Sequence, residues 1–69
     1  AIFEVEVPES WVGKSVGELD IRKKFGINIL GIKHSGKTDV SITPDTVLAK
    51  DITILALGEY KALQRCFRI

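Results

Sequence analysis

The sequence predicts a small α+β domain built on a largely antiparallel sheet. Phe3, Val5 and Val7 alternate with Glu4 and Glu6, the period-two pattern of a half-buried strand. Ser15 and Glu18 stand at the spacing of a capping box, ahead of a short helical stretch that Gly26 stops. Ser35-Gly36 joins two strand-like runs as a tight hairpin, which sets neighbouring strands in opposite directions. The order reads β-α-β-β-β-α.

The first strand takes Ile2 to Val7 and ends at Pro8, which has no N–H to give a ladder. The helix starts near Val16, with Leu19 and Phe25 facing inward and Val16 near the rim. Asp20 can start a second short turn and break the helix in its middle. Ile27 to His34 forms the next strand, rich in β-branched residues. Lys37 to Thr43 returns beside it, with Val40 and Ile42 on one face and Asp39 and Ser41 on the other. Thr43-Pro44-Asp45 reads as a turn, from which Asp45-Thr46-Val47-Leu48 leads into a short extended piece. Ile52 to Leu57 is an unbroken apolar run, expected as a central strand covered on both faces. Gly58 closes it. Tyr60, Leu63 and Phe67 then fall at i, i+3 and i+7, one face of a terminal helix. The chain has no repeat, linker or low-complexity tract.

A chain of 69 residues makes one domain at most. At this length a fold buries only about 60% of the surface that the unfolded chain exposes. Cys66 is the only cysteine and His34 the only histidine, so an internal disulfide and the usual zinc sites are excluded. Pairing with a second copy is the remaining route to a larger core, and 45% apolar residues can supply the interface. One unpaired thiol fits a reduced, cytosolic setting. Ten basic against nine acidic side chains leave a net charge of +1 without a basic stripe, so duplex nucleic acid is not expected as a partner. No apolar run approaches the roughly 20 residues that cross a bilayer, and no signal peptide opens the chain. Direct membrane insertion is therefore not expected. The abrupt start in a strand-like segment suggests a module of a longer protein.

Catalytic chemistry has no foothold. His34 stands beside a hairpin turn with no carboxylate or hydroxyl partner along its strand. Cys66 lies among Arg65, Phe67 and Arg68; neighbouring arginines can lower a thiol pKa, but a structural or incidental thiol is the expected reading. Gly13-Lys14-Ser15 matches the end of a phosphate-binding loop and lacks the upstream glycine such a loop requires. Thr38, Asp39 and Ser41 alternate along one strand as ordinary sheet surface. Binding or assembly is the expected role.

Leu19 to Ile32 is the most informative stretch. It places Arg22 and Asn28 where a helix hands over to a strand, and such a junction leaves main-chain groups unpaired. Guanidinium and amide donors there can hold an anion. The alternative is a plain helix-to-strand turn with surface charge.

Val7-Pro8-Glu9-Ser10, Gly13-Lys14-Ser15-Val16, Glu18-Leu19-Asp20-Ile21-Arg22, Gly26 to Lys33, Pro44-Asp45-Thr46-Val47-Leu48 and Asp51-Ile52 together resemble the C-terminal (TrkA-C) domain of RCK proteins, the regulators of potassium conductance. The resemblance covers almost the whole chain, the blocks keep their order and spacing, and residues 1–69 are accordingly expected to be one such domain. Trp11, where an aliphatic residue is usual, and the tail after Gly58 depart from the pattern.

The resemblance implies regulation rather than catalysis, with no cofactor beyond a regulatory ligand. Such domains follow a Rossmann-like nucleotide-binding domain in cytoplasmic proteins that act on a membrane potassium channel or transporter subunit. They pair as homodimers, and in the Ktr-like branch the pair holds cyclic di-AMP in a cleft between the copies. Carried over by position, Arg22 and Asn28 supply polar contacts to the ligand, with Asp20 as a helper. Val16, Ile21, Ile27, Ile29 and Pro44 form apolar walls against adenine. Two other readings stand beside this one: a dimerisation module of a transporter regulator with no cyclic dinucleotide ligand, and an unrelated small-molecule or peptide-binding domain.

Overall fold

The computed structural model describes residues 1–67, and its elements follow the expected order. Strand β1 spans Ile2–Glu6, and a single 3-10 turn follows over Glu9–Trp11. Helices α1 (Val16–Leu19) and α2 (Ile21–Phe25) lead to β2 (Asn28–His34) and β3 (Lys37–Asp39). Strand β4 (Thr53–Leu57) and helix α3 (Tyr60–Phe67) complete the described chain. The four strands form one antiparallel sheet in the order β1-β4-β2-β3.

Local chemistry accounts for the joints. The Ser15 hydroxyl accepts from the Glu18 N–H at 3.1 Å, while the Glu18 carboxylate accepts from the Ser15 N–H at 3.3 Å. Two of the donors at the helix start are thereby satisfied. The helix does break at Asp20, which sits in the left-handed region at φ 51. Asp tolerates that conformation better than most side chains. Gly26 ends α2 at φ 69. Ser35 and Gly36, at φ 52 and 78, give the β2–β3 hairpin the two positive φ values of a type I′ turn.

The core lies on one face of the sheet. Val5, Ile54 and Ala56 face it from the strands, with Ile21, Ile27, Leu48 and Leu63 packed over them. Ile27, Leu48, Ile54, Ala56 and Leu63 are wholly buried. The register puts Glu4 opposite Leu55 and Glu6 opposite Thr53 on the other face. Lys33 pairs with Glu4 there at 2.9 Å.

Several expectations change at this level. The run Ile52 to Leu57 is central but not covered on both faces: Thr53, Leu55 and Leu57 stay half-buried. Every helix packs on the side of Ile54 and Ala56, so an apolar run marks the central strand without implying a second layer. The returning strand stops at Asp39 instead of Thr43. There the Asp39 carboxylate accepts from the Ser41 N–H at 2.8 Å, a local turn that competes with the ladder. A bulge in β2 between Ile29 and Gly31 shifts its pairing with β4 on the opposite side. Val40 is consequently 71% exposed, while Ile42 turns toward the helices and is half-buried. Phe25 is half-exposed, and Ile21 is the inward residue of α2. Trp11 covers the outer end of the core, its ring 5.8 Å from Phe25 and 5.3 Å from Phe67 between centroids.

Residues 43–48 form a strap laid along residues 13–17. Gly13 N–H donates to the Leu48 carbonyl at 2.8 Å and Leu48 N–H to that of Lys14 at 2.9 Å. Val16 N–H donates to the Thr46 carbonyl and Gly17 N–H to that of Pro44, each at 2.8 Å. This zip ties the turn after β3 to the start of α1, across the helix–strand junction.

Candidate functional site

Between the strap, the broken helix and the start of β2 lies an open recess of about 210 Å³. It is lined by Val16, Ile21, Arg22, Ile27, Asn28, Ile29, Ile42, Thr43 and Pro44. Seven of the eight sequence-predicted site residues therefore share one surface. Asp20 is the exception: it does not line the recess but forms the left-handed joint between α1 and α2. That joint turns α2 so that Ile21 enters the core and Arg22, one position on, stays exposed at the rim.

The seven differ in what they offer a ligand. Ile21 is 2% exposed and Ile27 is fully buried, so they back the floor from within the core. Val16 and Ile29 are half-buried and Pro44 is exposed, which gives them apolar surface to present. Arg22 and Asn28 are exposed, and among the described residues neither side chain has a hydrogen-bond or ion-pair partner. Arg22 is the one charged group in the lining. The recess thus combines apolar walls with a cation and an amide, a composition that suits a flat apolar ring carrying an anionic group.

Sequence reasoning missed Ile42 and Thr43. Continued strand alternation would have sent Ile42 to the same face as Val40, whereas the turn at Asp39 redirects it into the recess wall. Their position next to Pro44 was the available signal. Thr43 also shapes the turn itself: its hydroxyl accepts from the Asp45 N–H at 3.3 Å, and its N–H donates to the Thr46 hydroxyl at 3.0 Å.

A larger open recess of about 770 Å³ lies at the other end of the sheet. Glu6, Glu9 and Asp51 line it against a single cation, Lys50, so its field repels an anion. His34 finds no carboxylate along its own strand but meets one from the segment before β4. Its Nε2 lies 2.9 Å from Asp51 Oδ2, and both side chains are more than half exposed. The imidazole hydrogen bond holds the Asp51 carboxyl below the usual carboxylate range. Among the described residues no group of three His, Cys, Asp or Glu side chains stands close enough to share a metal ion.

Cys66 is half-buried, and burial pushes its thiol up to about 11. Arg68 lies outside the described residues. At pH 8 such a thiol is only about one part in a thousand thiolate, the nucleophilic form. Iodoacetamide should therefore alkylate the folded chain about a hundredfold more slowly than the chain unfolded in urea. Equal rates in the two states would show a thiol that burial does not protect, and faster alkylation of the folded chain would show an activated one.

The comparisons with known proteins agree with one another. A family model described as the TrkA-C domain matches residues 1–69. The K(+)/H(+) antiporter subunit KhtT of Bacillus subtilis (strain 168) is 28% identical over 64 residues, which are 91% of this chain and 39% of that protein. The chain thus spans about two fifths of that curated relative. Among solved structures, the RCK C domain of the potassium transport protein KtrA in complex with cyclic di-AMP superposes with a TM-score of 0.87. It is 32% identical, with 96% of this chain and 78% of that one covered. The RCK_C domain dimer of S. agalactiae BusR, also in complex with cyclic di-AMP, gives a TM-score of 0.78 at 30% identity, covering 96% and 87%. No described helix is long and apolar enough to cross a membrane.

Proposed function

This chain belongs to the TrkA-C domain family, and from that membership we propose that it is the ligand-sensing part of a longer potassium-transport regulator, binding cyclic di-AMP between two copies of itself. An upstream Rossmann-like domain would pass the signal to a cytoplasm-facing membrane channel or transporter subunit. The domain carries no catalytic role and no duplex nucleic acid contact in this account.

The observation that carries the proposal is the recess lined by Arg22, Asn28, Val16, Ile29 and Pro44. Its size supports a shared site. Pockets for drug-sized ligands run to about 300–1,000 Å³, and one recess of about 210 Å³ falls short of that range. Two of them facing each other across a two-fold axis fall within it. An isologous pair repeats the same patch on both sides of its axis, and cyclic di-AMP has two equivalent halves. Each copy would set Arg22 and Asn28 against one phosphate edge and Val16, Ile29 and Pro44 against one adenine. Ile21 and Ile27 would hold those walls from behind, and Asp20 would fix the angle at which Arg22 arrives.

Sedimentation equilibrium at micromolar concentration tests the pairing on which the shared site depends. The expected mass is twice the 7.6 kDa of the chain, in the presence of ligand at the least. A chain that stays monomeric at saturating cyclic di-AMP would remove the shared site. A dimer that takes up no cyclic di-AMP in a calorimetric titration would instead leave a dimerisation module.

A further inference from the structure

Gly17 has no side chain to offer a ligand, yet it bears directly on one wall of the recess. We propose that Gly17 is a positioning residue for the bound nucleotide: the absence of its side chain lets Pro44 seat against α1 at the distance the ligand requires. The inference rests on the reading that cyclic di-AMP enters this recess.

The φ of Gly17 lies outside the left-handed region, which among glycines is occupied by Gly13, Gly26 and Gly36. Its backbone could therefore carry any residue, and alanine is the better helix former. Space is the constraint. A Cβ at Gly17 would lie 2.9 Å from Pro44 Cβ, 3.0 Å from the Pro44 carbonyl oxygen and 3.3 Å from Pro44 Cα. Those are main-chain and ring atoms, so no rotamer change relieves the contact. The Gly17 N–H also donates to the same Pro44 carbonyl at 2.8 Å, the bond that ends the zip between strap and helix.

Pro44 is poorly able to yield. Its ring fixes its own φ and keeps Thr43 extended. Thr43 is in turn held through its contacts with Asp45 and Thr46. A methyl group on Gly17 must then move the whole turn away from α1. Ile42, Thr43 and Pro44 would shift together relative to Val16, changing the width of the recess and leaving its lining chemically intact.

Calorimetric titration with cyclic di-AMP of the wild type, Gly17→Ala, Pro44→Gly and the double variant tests this. Gly17→Ala should weaken binding at least tenfold. Pro44→Gly removes the Cβ at 2.9 Å and the ring that keeps the turn from yielding, so the remaining carbonyl contact at 3.0 Å can relax and adding Gly17→Ala in that background should cost less than threefold more. Ile52→Val trims the core away from the recess and serves as the comparison: it should lower Tm and leave affinity within twofold. If Gly17→Ala does not fold, hydrogen exchange of the wild type replaces it. Saturating nucleotide should then slow exchange of the Gly17 amide at least tenfold. Wild-type affinity in Gly17→Ala, equal losses in both backgrounds, or a Gly17 amide insensitive to ligand would each overturn the positioning role. A wild type that does not bind cyclic di-AMP would overturn the ligand reading itself, and this inference with it.

Discussion

Asn28→Ala is expected to weaken cyclic di-AMP binding a hundredfold or more while leaving the fold intact. The side chain is exposed and, among the described residues, without an intramolecular partner. Its removal therefore strips no internal hydrogen bond, and exposed substitutions of that kind usually stay within about 0.5 kcal/mol in stability. Binding is a different matter. A hydrogen bond to a charged group is worth roughly 1.5–3 kcal/mol, and a two-fold site loses it twice with one substitution. The combined loss is on the order of 3 kcal/mol, which corresponds to about two decades in Kd. Arg22→Ala should behave alike, with a steeper dependence on salt because a full charge is removed. Lys33→Ala is the comparison. Lys33 lies on the open face of the sheet, engaged with Glu4 at 2.9 Å, and its loss should leave Kd within about twofold. Equal losses at Asn28 and Lys33, read by calorimetry, would place the ligand elsewhere.

The second large effect concerns stability and separates the two faces of β4. Ile54 is wholly buried under the helices, and its neighbour Leu55 is half-buried on the opposite face. Ile54→Ala should cost about 2–5 kcal/mol through lost burial and the cavity left behind. Small domains carry roughly 0.05–0.15 kcal/mol of stability per residue, so that loss approaches the whole stability of a chain this short. Leu55→Ala gives up only partly buried surface and should cost about 1 kcal/mol in the isolated chain. Urea denaturation of both variants provides the measurement. Comparable losses at the two positions would mean that the open face is covered in solution, as the unbroken apolar run first suggested.

Much of this fold is legible in the sequence because its joints are made by side chains with specific local jobs. Ser15 and Glu18 announce the helix start, Asp20 the break, Gly26 the stop and Ser35-Gly36 the hairpin. The less legible parts arise from long-range packing. Nothing along Ile52 to Leu57 tells whether a second layer covers the sheet, since a strand core reads the same with one layer or two. The zip between residues 13–17 and 43–48 is made of main-chain hydrogen bonds, which leave little trace in residue identity. Trp11 is a departure from the resemblance by sequence, and its burial against Phe25 and Phe67 shows it filling the outer end of the core.

The candidate site divides along the same line. Arg22 and Asn28 stand out at a helix–strand junction because polar groups there have chemistry to offer, and the recess does gather them with Val16, Ile29 and Pro44. The distinction between presenting walls and backing floor is invisible in sequence: Ile27 and Ile29 are the same residue two positions apart. Ile27 lies just ahead of β2 and is wholly buried in the core, whereas Ile29 lies within the strand and is half-buried. Ile42 and Thr43 join the lining only because Asp39 ends its strand early.

The central claim is that two copies of this chain share one cyclic dinucleotide, and calorimetric stoichiometry tests it most directly. Titration of the chain with cyclic di-AMP should saturate at one ligand per two chains, with the same endpoint at several chain concentrations in the micromolar range. Saturation at one ligand per chain, or no heat of binding with the chain folded and dimeric, would contradict it.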